Sequence, residues 1–189
     1  MRTLLFTAVA WLALAGSVGA QSLANGGFEA GLTGWRPLWT RTAGTGTLSL
    51  DPETVHAGRN AARLEHRGEQ DWSLEPEQRI TVNPGDVFAF EAWLKVESHG
   101  GSATLCVSTW DRAGHAVDWS FGARTLSGSS GWQRVRTRFV VPDNVAQIQP
   151  RLIGYGPATV WADDFAIAKT GNVNALRRPG LPGTLTVSN

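Results

Sequence analysis

Polar and apolar residues alternate along most of this chain with the period of a strand. Successive side chains of a β-strand point to opposite faces, so a half-buried strand reads apolar, polar, apolar. That pattern predicts strands over residues 47–50, 61–66, 78–82, 87–96, 102–110, 116–121, 132–141, 145–153 and 158–168. Turn residues stand between them, among them Gly58-Arg59-Asn60, Asn83-Pro84-Gly85-Asp86 and Asp111-Arg112-Ala113-Gly114. No stretch carries apolar residues at sustained helical spacing. Short strands at this spacing indicate an all-β sandwich or barrel. From residue 170 onward Gly, Pro, Asn and Arg dominate without a period. Residues 170–189 therefore read as a tail with little fixed structure.

The alternation also separates an apolar face from one of unusual composition. In 87–96, Phe88, Phe90, Ala92, Leu94 and Val96 lie opposite Glu91, Trp93 and Lys95. In 102–110, Ala103, Leu105, Val107 and Thr109 lie opposite Thr104, Cys106, Ser108 and Trp110. In 132–141, Val135, Thr137, Phe139 and Val141 oppose a column of Arg134, Arg136 and Arg138. In 145–153, Ala146, Ile148, Pro150 and Leu152 oppose Gln147, Gln149 and Arg151. Taken together, the polar sides read as one surface of Trp, Arg, Gln and Glu. A plain solvated face is the simpler account, but it would mix Lys, Glu, Thr and Ser. Arg forks and Gln amides suit multidentate hydrogen bonding to hydroxyls, and Trp offers flat apolar area for the C–H face of a sugar ring. The surface reads as a binding face.

Composition sharpens this picture. The 189 residues suffice for one domain with a hydrophobic core, and 22 Gly and 9 Pro point away from a helical bundle. A formal net charge of +1 with 17% charged residues gives no electrostatic footprint for nucleic acid or an acidic membrane surface. Tryptophan is in surplus, with 9 Trp against a single Tyr. Residues 1–20 form a leader pattern: Arg2, an apolar run from Leu4 to Ala15, and small residues ending at Val18-Gly19-Ala20. The run is short for a membrane span, so cleavage and export are expected, to the medium, the periplasm or the cell envelope. Cys106 stands alone, cannot form an internal disulfide, and reads as a strand residue inside the domain. Loss of the leader leaves a neutral mature chain, which suits an uncharged polysaccharide better than a polyanion.

An ordered set of short motifs then comes into view. Asn25-Gly26-Gly27-Phe28-Glu29 is followed by Gly31-Leu32-Thr33-Gly34-Trp35, His56-Ala57-Gly58-Arg59-Asn60 and Val82-Asn83-Pro84-Gly85-Asp86. Ala92-Trp93-Leu94-Lys95, Gly131-Trp132-Gln133 and Val160-Trp161-Ala162-Asp163-Asp164-Phe165 complete it. In this order the chain resembles the carbohydrate-binding modules grouped with families four, nine, sixteen and twenty-two. The resemblance covers residues 25–168 and implies a galactose-binding-like jelly roll of two antiparallel sheets. It also implies a structural calcium ion, with Glu29 and Asp164 as matching ligands, Asp163 as the alternate, and Asp51 or Asn60 nearby. By alternation, Asp163 and Asp164 should point to opposite faces, so that one of them serves through its side chain.

Trp35, Trp132 and Trp161 match scaffold positions of the family, whereas Trp72 matches one that often contacts sugar. The candidate sugar-binding set is Trp72, Trp93, Trp110 and Trp119, with Arg134, Arg136, Gln149 and Arg151 as hydrogen-bonding partners and Glu91 beside them. Trp39 is left unassigned. Two other classes stay open. A glycosidase needs two carboxylates across the scissile bond, and Glu91, the one acid within a strand on the polar face, lacks an acid partner. A structural protein of the cell envelope would reuse the same sandwich to bind a protein partner.

Overall fold

The computed structural model describes residues 23–176. The leader pattern of residues 1–20 and most of the expected tail lie outside the described residues. Eleven strands run in chain order: β1 Trp39–Thr40, β2 Gly46–Asp51, β3 Ala61–His66, β4 Asp71–Leu74, β5 Ile80–Thr81, β6 Asp86–Ser98, β7 Ser102–Trp110, β8 Ala116–Ser127, β9 Ser130–Val140, β10 Gln147–Tyr155 and β11 Ala158–Asn172. A 3-10 turn, Val173–Leu176, follows. The first sheet has the order β1-β4-β10-β7-β8, with β5 also paired to β10, and the second has the order β2-β3-β11-β6-β9. All recorded pairings are antiparallel.

The apolar sides of both sheets face each other. Phe88, Phe90, Ala92, Leu94 and Val96 of β6 bury against Ala103, Leu105 and Val107 of β7 and Ile148 and Leu152 of β10 in one core. Phe28, Trp35 and Phe165 close one end of it, with Trp35 4.9 Å from each of the two Phe rings. The alternation thus predicts the inward faces of β6, β7, β9 and β10 correctly, whereas β11 breaks it at Asp163 and Asp164.

Four readings change. The short strands β1 and β4 are missed: two residues are too few to show a period, and the alternation of β4 spans only Asp71 to Glu75. The end of β8 is also missed: Arg124, Thr125 and Ser127 are exposed polar residues on a sheet edge, held there by pairing with β7. Residues 170–172 are not tail but the end of β11, where Asn172 pairs with Asp86. The single polar surface is in fact two. Glu91, Trp93, Arg134 and Arg136 lie on β6 and β9 of the second sheet, whereas Trp110, Gln149 and Arg151 lie on β7 and β10 of the first. Outward residues of opposing sheets look away from each other.

Trp72 is a further correction. In β4 it points inward with Leu74 and is fully buried, so it is core and not a sugar platform. Its ring lies against Gly154 of the neighbouring β10. Gly154→Ala would drive a methyl group into that ring and into the Ser102 carbonyl. We expect it to destabilise the domain by about 1–3 kcal/mol in urea unfolding, the usual cost of overpacking.

Asp86 ties the start of β6 to the end of β11. Its carboxylate accepts from Asn83 N (3.0 Å) and Asn172 Nδ2 (2.7 Å) and pairs with Lys169 at 2.6 Å. Burial works to raise its pKa, but the bonds from Lys169, Asn172 and Asn83 outweigh burial and hold it below the ordinary 3.8. A lowered carboxyl contributes stability that is present above its unfolded pKa and lost as pH falls through the folded one. Melting temperatures followed downward from pH 5 should therefore fall more steeply in the native protein than in Asp86→Asn, which should start about 1–3 kcal/mol less stable.

Candidate functional site

The outward face of the first sheet holds a groove of about 940 Å³, lined by side chains from five strands and the segments that join them. Strand alternation places its floor. With Trp72 and Leu74 turned inward, Asp71, Ser73 and then Glu75 turn outward; with Ile148 and Leu152 inward, Gln149, Arg151 and Ile153 turn outward. Ion pairs order the floor. Arg151 meets Glu75 at 3.1 Å, and Arg36 reaches the same carboxylate at 3.6 Å. Arg41 grips Asp71 through two N–H donors, and this hydrogen bonding holds the Asp71 carboxyl below the usual carboxylate range. Gln149 is buried, its Nε2 donating to the Pro76 carbonyl at 2.8 Å.

Three tryptophans rim the groove, and they differ in what they offer. Trp39 on the edge strand β1 is 48% exposed and Trp119 on the opposite edge strand β8 is 56% exposed. Trp110 is half-covered. The Arg79 guanidinium lies over its ring at 3.5 Å, Trp119 meets it edge-on at 5.1 Å, and its Nε1 donates to Ser108 Oγ at 3.2 Å. Arg151 donates to the Trp119 carbonyl at 3.2 Å, which ties the floor to that rim. Cys106 sits beneath, buried, its thiol pushed up to about 12 by desolvation, and so behaves as the strand residue expected.

Of the candidate sugar-binding residues, the groove gathers Trp110, Trp119, Gln149 and Arg151. Trp72 reaches it only as a buried ring beneath Gly154. Sequence reasoning passes over Trp39, Arg41, Asp71, Glu75 and Arg79. A signal was there: Asp71-Trp72-Ser73-Leu74-Glu75 is a period-two pattern with its acids on one side.

The remaining candidates form a separate cluster on the second sheet. Glu91 accepts from Arg134 at 2.7 Å and pairs with Arg136 at 3.5 Å. Trp93 stacks on the His56 ring, with centroids 3.8 Å apart and planes 16° apart. Trp132 meets the same His56 edge-on at 5.7 Å. The loop carrying His56 thus covers one face of Trp93, which stays half-buried. Trp161 is nearly buried, capped by Lys95 and donating to Asp51 at 2.7 Å, in keeping with a scaffold role.

The acids of the expected calcium site are only partly assembled. In β11 the inward set changes from Val160 and Ala162 to Phe165 and Ile167, with a register shift between Asp163 and Ala166. Asp164 takes φ +49°, in the left-handed region. This bulge brings both acids together, where strict alternation would separate them. Asp163, Asp164 and His56 offer ligand atoms within 4.8 Å of one another. Asp163 accepts from the amides of His56 (3.1 Å), Ala57 (3.2 Å) and Asp164 (2.8 Å), while Asp164 lies 2.7 Å from His56 Nδ1. Burial pushes the Asp163 carboxyl up. Glu29 is committed to the Arg59 and Asn60 amides, and Asp51 to Glu53, Thr54 and Trp161. The two adjacent carboxylates suit an oxygen-seeking cation; the His56 nitrogen does not.

Comparison with solved structures places this fold. At 19% identity, a family 16 carbohydrate-binding module aligns with 78% of this chain and 99% of its own, with a TM-score of 0.57. A family 61 module in complex with β-1,4-galactotriose aligns over 79% and 99%, at 19% identity and a TM-score of 0.55. The enzymatically active domain of a bacteriophage CBA120 tailspike gives a TM-score of 0.63 at 13% identity over 78% of this chain, which spans about a fifth (21%) of that protein's length. No curated protein matches the sequence. The family profile described as "Carbohydrate binding domain" matches residues 20–156, and by that match the chain belongs to the carbohydrate-binding domain family.

Proposed function

We propose that this protein binds a poly- or oligosaccharide in the groove of the first sheet, without acting on it chemically. The observation that carries the reading is the pairing of two half-exposed tryptophans, Trp39 and Trp119, at opposite edges of an ion-paired polar floor. Their strands, β1 and β8, are four spacings apart in the sheet, roughly 19 Å, a span for an oligosaccharide and not for a single sugar. The rings supply apolar area, and Arg side chains already fixed by partners supply hydrogen-bond donors at low entropic cost, while buried Gln149 holds the floor from beneath. Both groove carboxylates are taken up by arginines of the floor, Asp71 by Arg41 and Glu75 by Arg36 and Arg151, which suits fixed parts of a binding surface better than the acid and base of a glycosidase. Export belongs to the proposal and rests on the leader pattern of residues 1–20.

Glycan affinity gels test the reading. Retention by at least one polysaccharide is expected, and Trp39→Ala and Trp119→Ala should each weaken it about thirtyfold, the scale of a hot-spot aromatic. Trp93→Ala, on the other sheet, should leave retention unchanged. Loss of retention in Trp93→Ala with none in the groove variants would move the site to the second sheet.

The proposal extends to a structural calcium ion at Asp163 and Asp164. Two adjacent acids, one of them buried, repel each other, and a cation would neutralise them and pin the 52–60 loop to β11. Melting with calcium and with chelator checks this: a higher melting temperature with calcium is expected. Identical curves would mean that His56 and the loop amides suffice.

A further inference from the structure

The geometry points to a uronate-bearing glycan as the ligand of this groove, with Arg79 as the residue that reads its carboxylate; this rests on the binding reading above. The neutral mature chain favours an uncharged polysaccharide, but charge is not spread evenly over the surface. The groove is lined by four guanidiniums, Arg36, Arg41, Arg79 and Arg151, against two carboxylates, Asp71 and Glu75. Arg41 takes Asp71, while Arg36 and Arg151 share Glu75. Arg79 has no carboxylate within ion-pair distance among the described residues, and it is exposed.

Its position is nevertheless fixed. The guanidinium lies on the Trp110 ring at 3.5 Å, and Trp110 is held in turn by Ser108 and by the edge of Trp119. Stacking uses the face of a guanidinium and leaves its in-plane N–H donors available. Two parallel donors in one plane match the two oxygens of a carboxylate, and such charge-assisted pairs are stronger than hydrogen bonds to neutral hydroxyls. Stacking also covers a face of Trp110 that a neutral sugar ring would otherwise use. The groove's excess positive charge lies beside Trp119, so a chain stacked on that ring carries its substituents past Arg79.

The test compares polygalacturonate and alginate, each against its carboxyl-reduced neutral form, by affinity electrophoresis and calorimetry on the full chain. At least one uronate polymer should bind more tightly than its reduced form, and the difference should shrink with added salt. Arg79→Ala should weaken uronate binding about tenfold, the scale of one charge-assisted hydrogen bond, and should not weaken binding of the reduced form, since it uncovers a face of Trp110. Arg79→Lys, which keeps the charge but not the fork, should fall between them. Arg138→Ala, on the outer face of the second sheet, is the control for a polyanion adhering to the arginine column there and should bind as the native protein does. Equal binding of charged and reduced polymers overturns the inference, as does preference for a sulfated glycan over both uronates, or a loss in Arg138→Ala equal to that in Arg79→Ala. Absence of binding to every glycan overturns the binding reading itself.

Discussion

The interface between the two sheets fixes where every surface group points. Phe88, Phe90 and Leu94 from one side and Leu105, Ile148 and Leu152 from the other are almost wholly buried. Slipping any of these strands by one residue would turn its apolar set to water and its polar set into the core. Burial of a large aliphatic or aromatic side chain is worth about 1.5–3 kcal/mol, so a slip across a whole strand is prohibitive. The groove inherits its precision from this constraint. Glu75, Gln149 and Arg151 are held in place because their chain neighbours cannot move.

The ion pairs of the groove contribute order more than stability. Exposed pairs such as Arg41 with Asp71 are typically worth under about 1 kcal/mol. Their effect is to hold long side chains in one arrangement before a ligand arrives, which lowers the entropy lost on binding. Trp110 illustrates the same economy of motion. It receives Arg79 on its face, Trp119 at its edge and Ser108 at its nitrogen, and so acts as a support for two neighbours more than as a platform of its own.

The opposite face follows a different logic. The loop from 52 to 60 lies across the outer side of the second sheet, fixed where the Asp163 carboxylate accepts two of its amides and where His56 stacks on Trp93. That arrangement covers one face of a tryptophan that alternation alone would leave in solvent. It also depends on the bulge at Asp164, since an unbroken strand would send one of the two acids into the core. The two outer faces of one sandwich thus differ: the first opens into the groove, whereas on the second the 52–60 loop lies against Trp93 and leaves Arg134 and Arg136 exposed beside it.

The sequence by itself determined most of the long strands, the inward faces of β6, β7, β9 and β10 and the all-β class, because period-two alternation and turn residues are local signals. Ordered motifs from Asn25 to Phe165 were legible for the same reason. Half of the groove was legible too: Trp110, Trp119, Gln149 and Arg151 stand at outward positions of long or well-bounded strands. What only the tertiary structure decided was partnership. A polar face has the same sequence signature whichever sheet it belongs to, so the alternation could not assign β6 and β9 to one sheet and β7 and β10 to the other. Trp72 reads like a surface aromatic until β4 is seen to turn it under Gly154. Trp39 and Arg79 acquire a role only when strands distant in the chain bring Asp71, Glu75 and Trp110 beside them, because hydrogen bonding between strands, and not sequence proximity, sets which side chains meet.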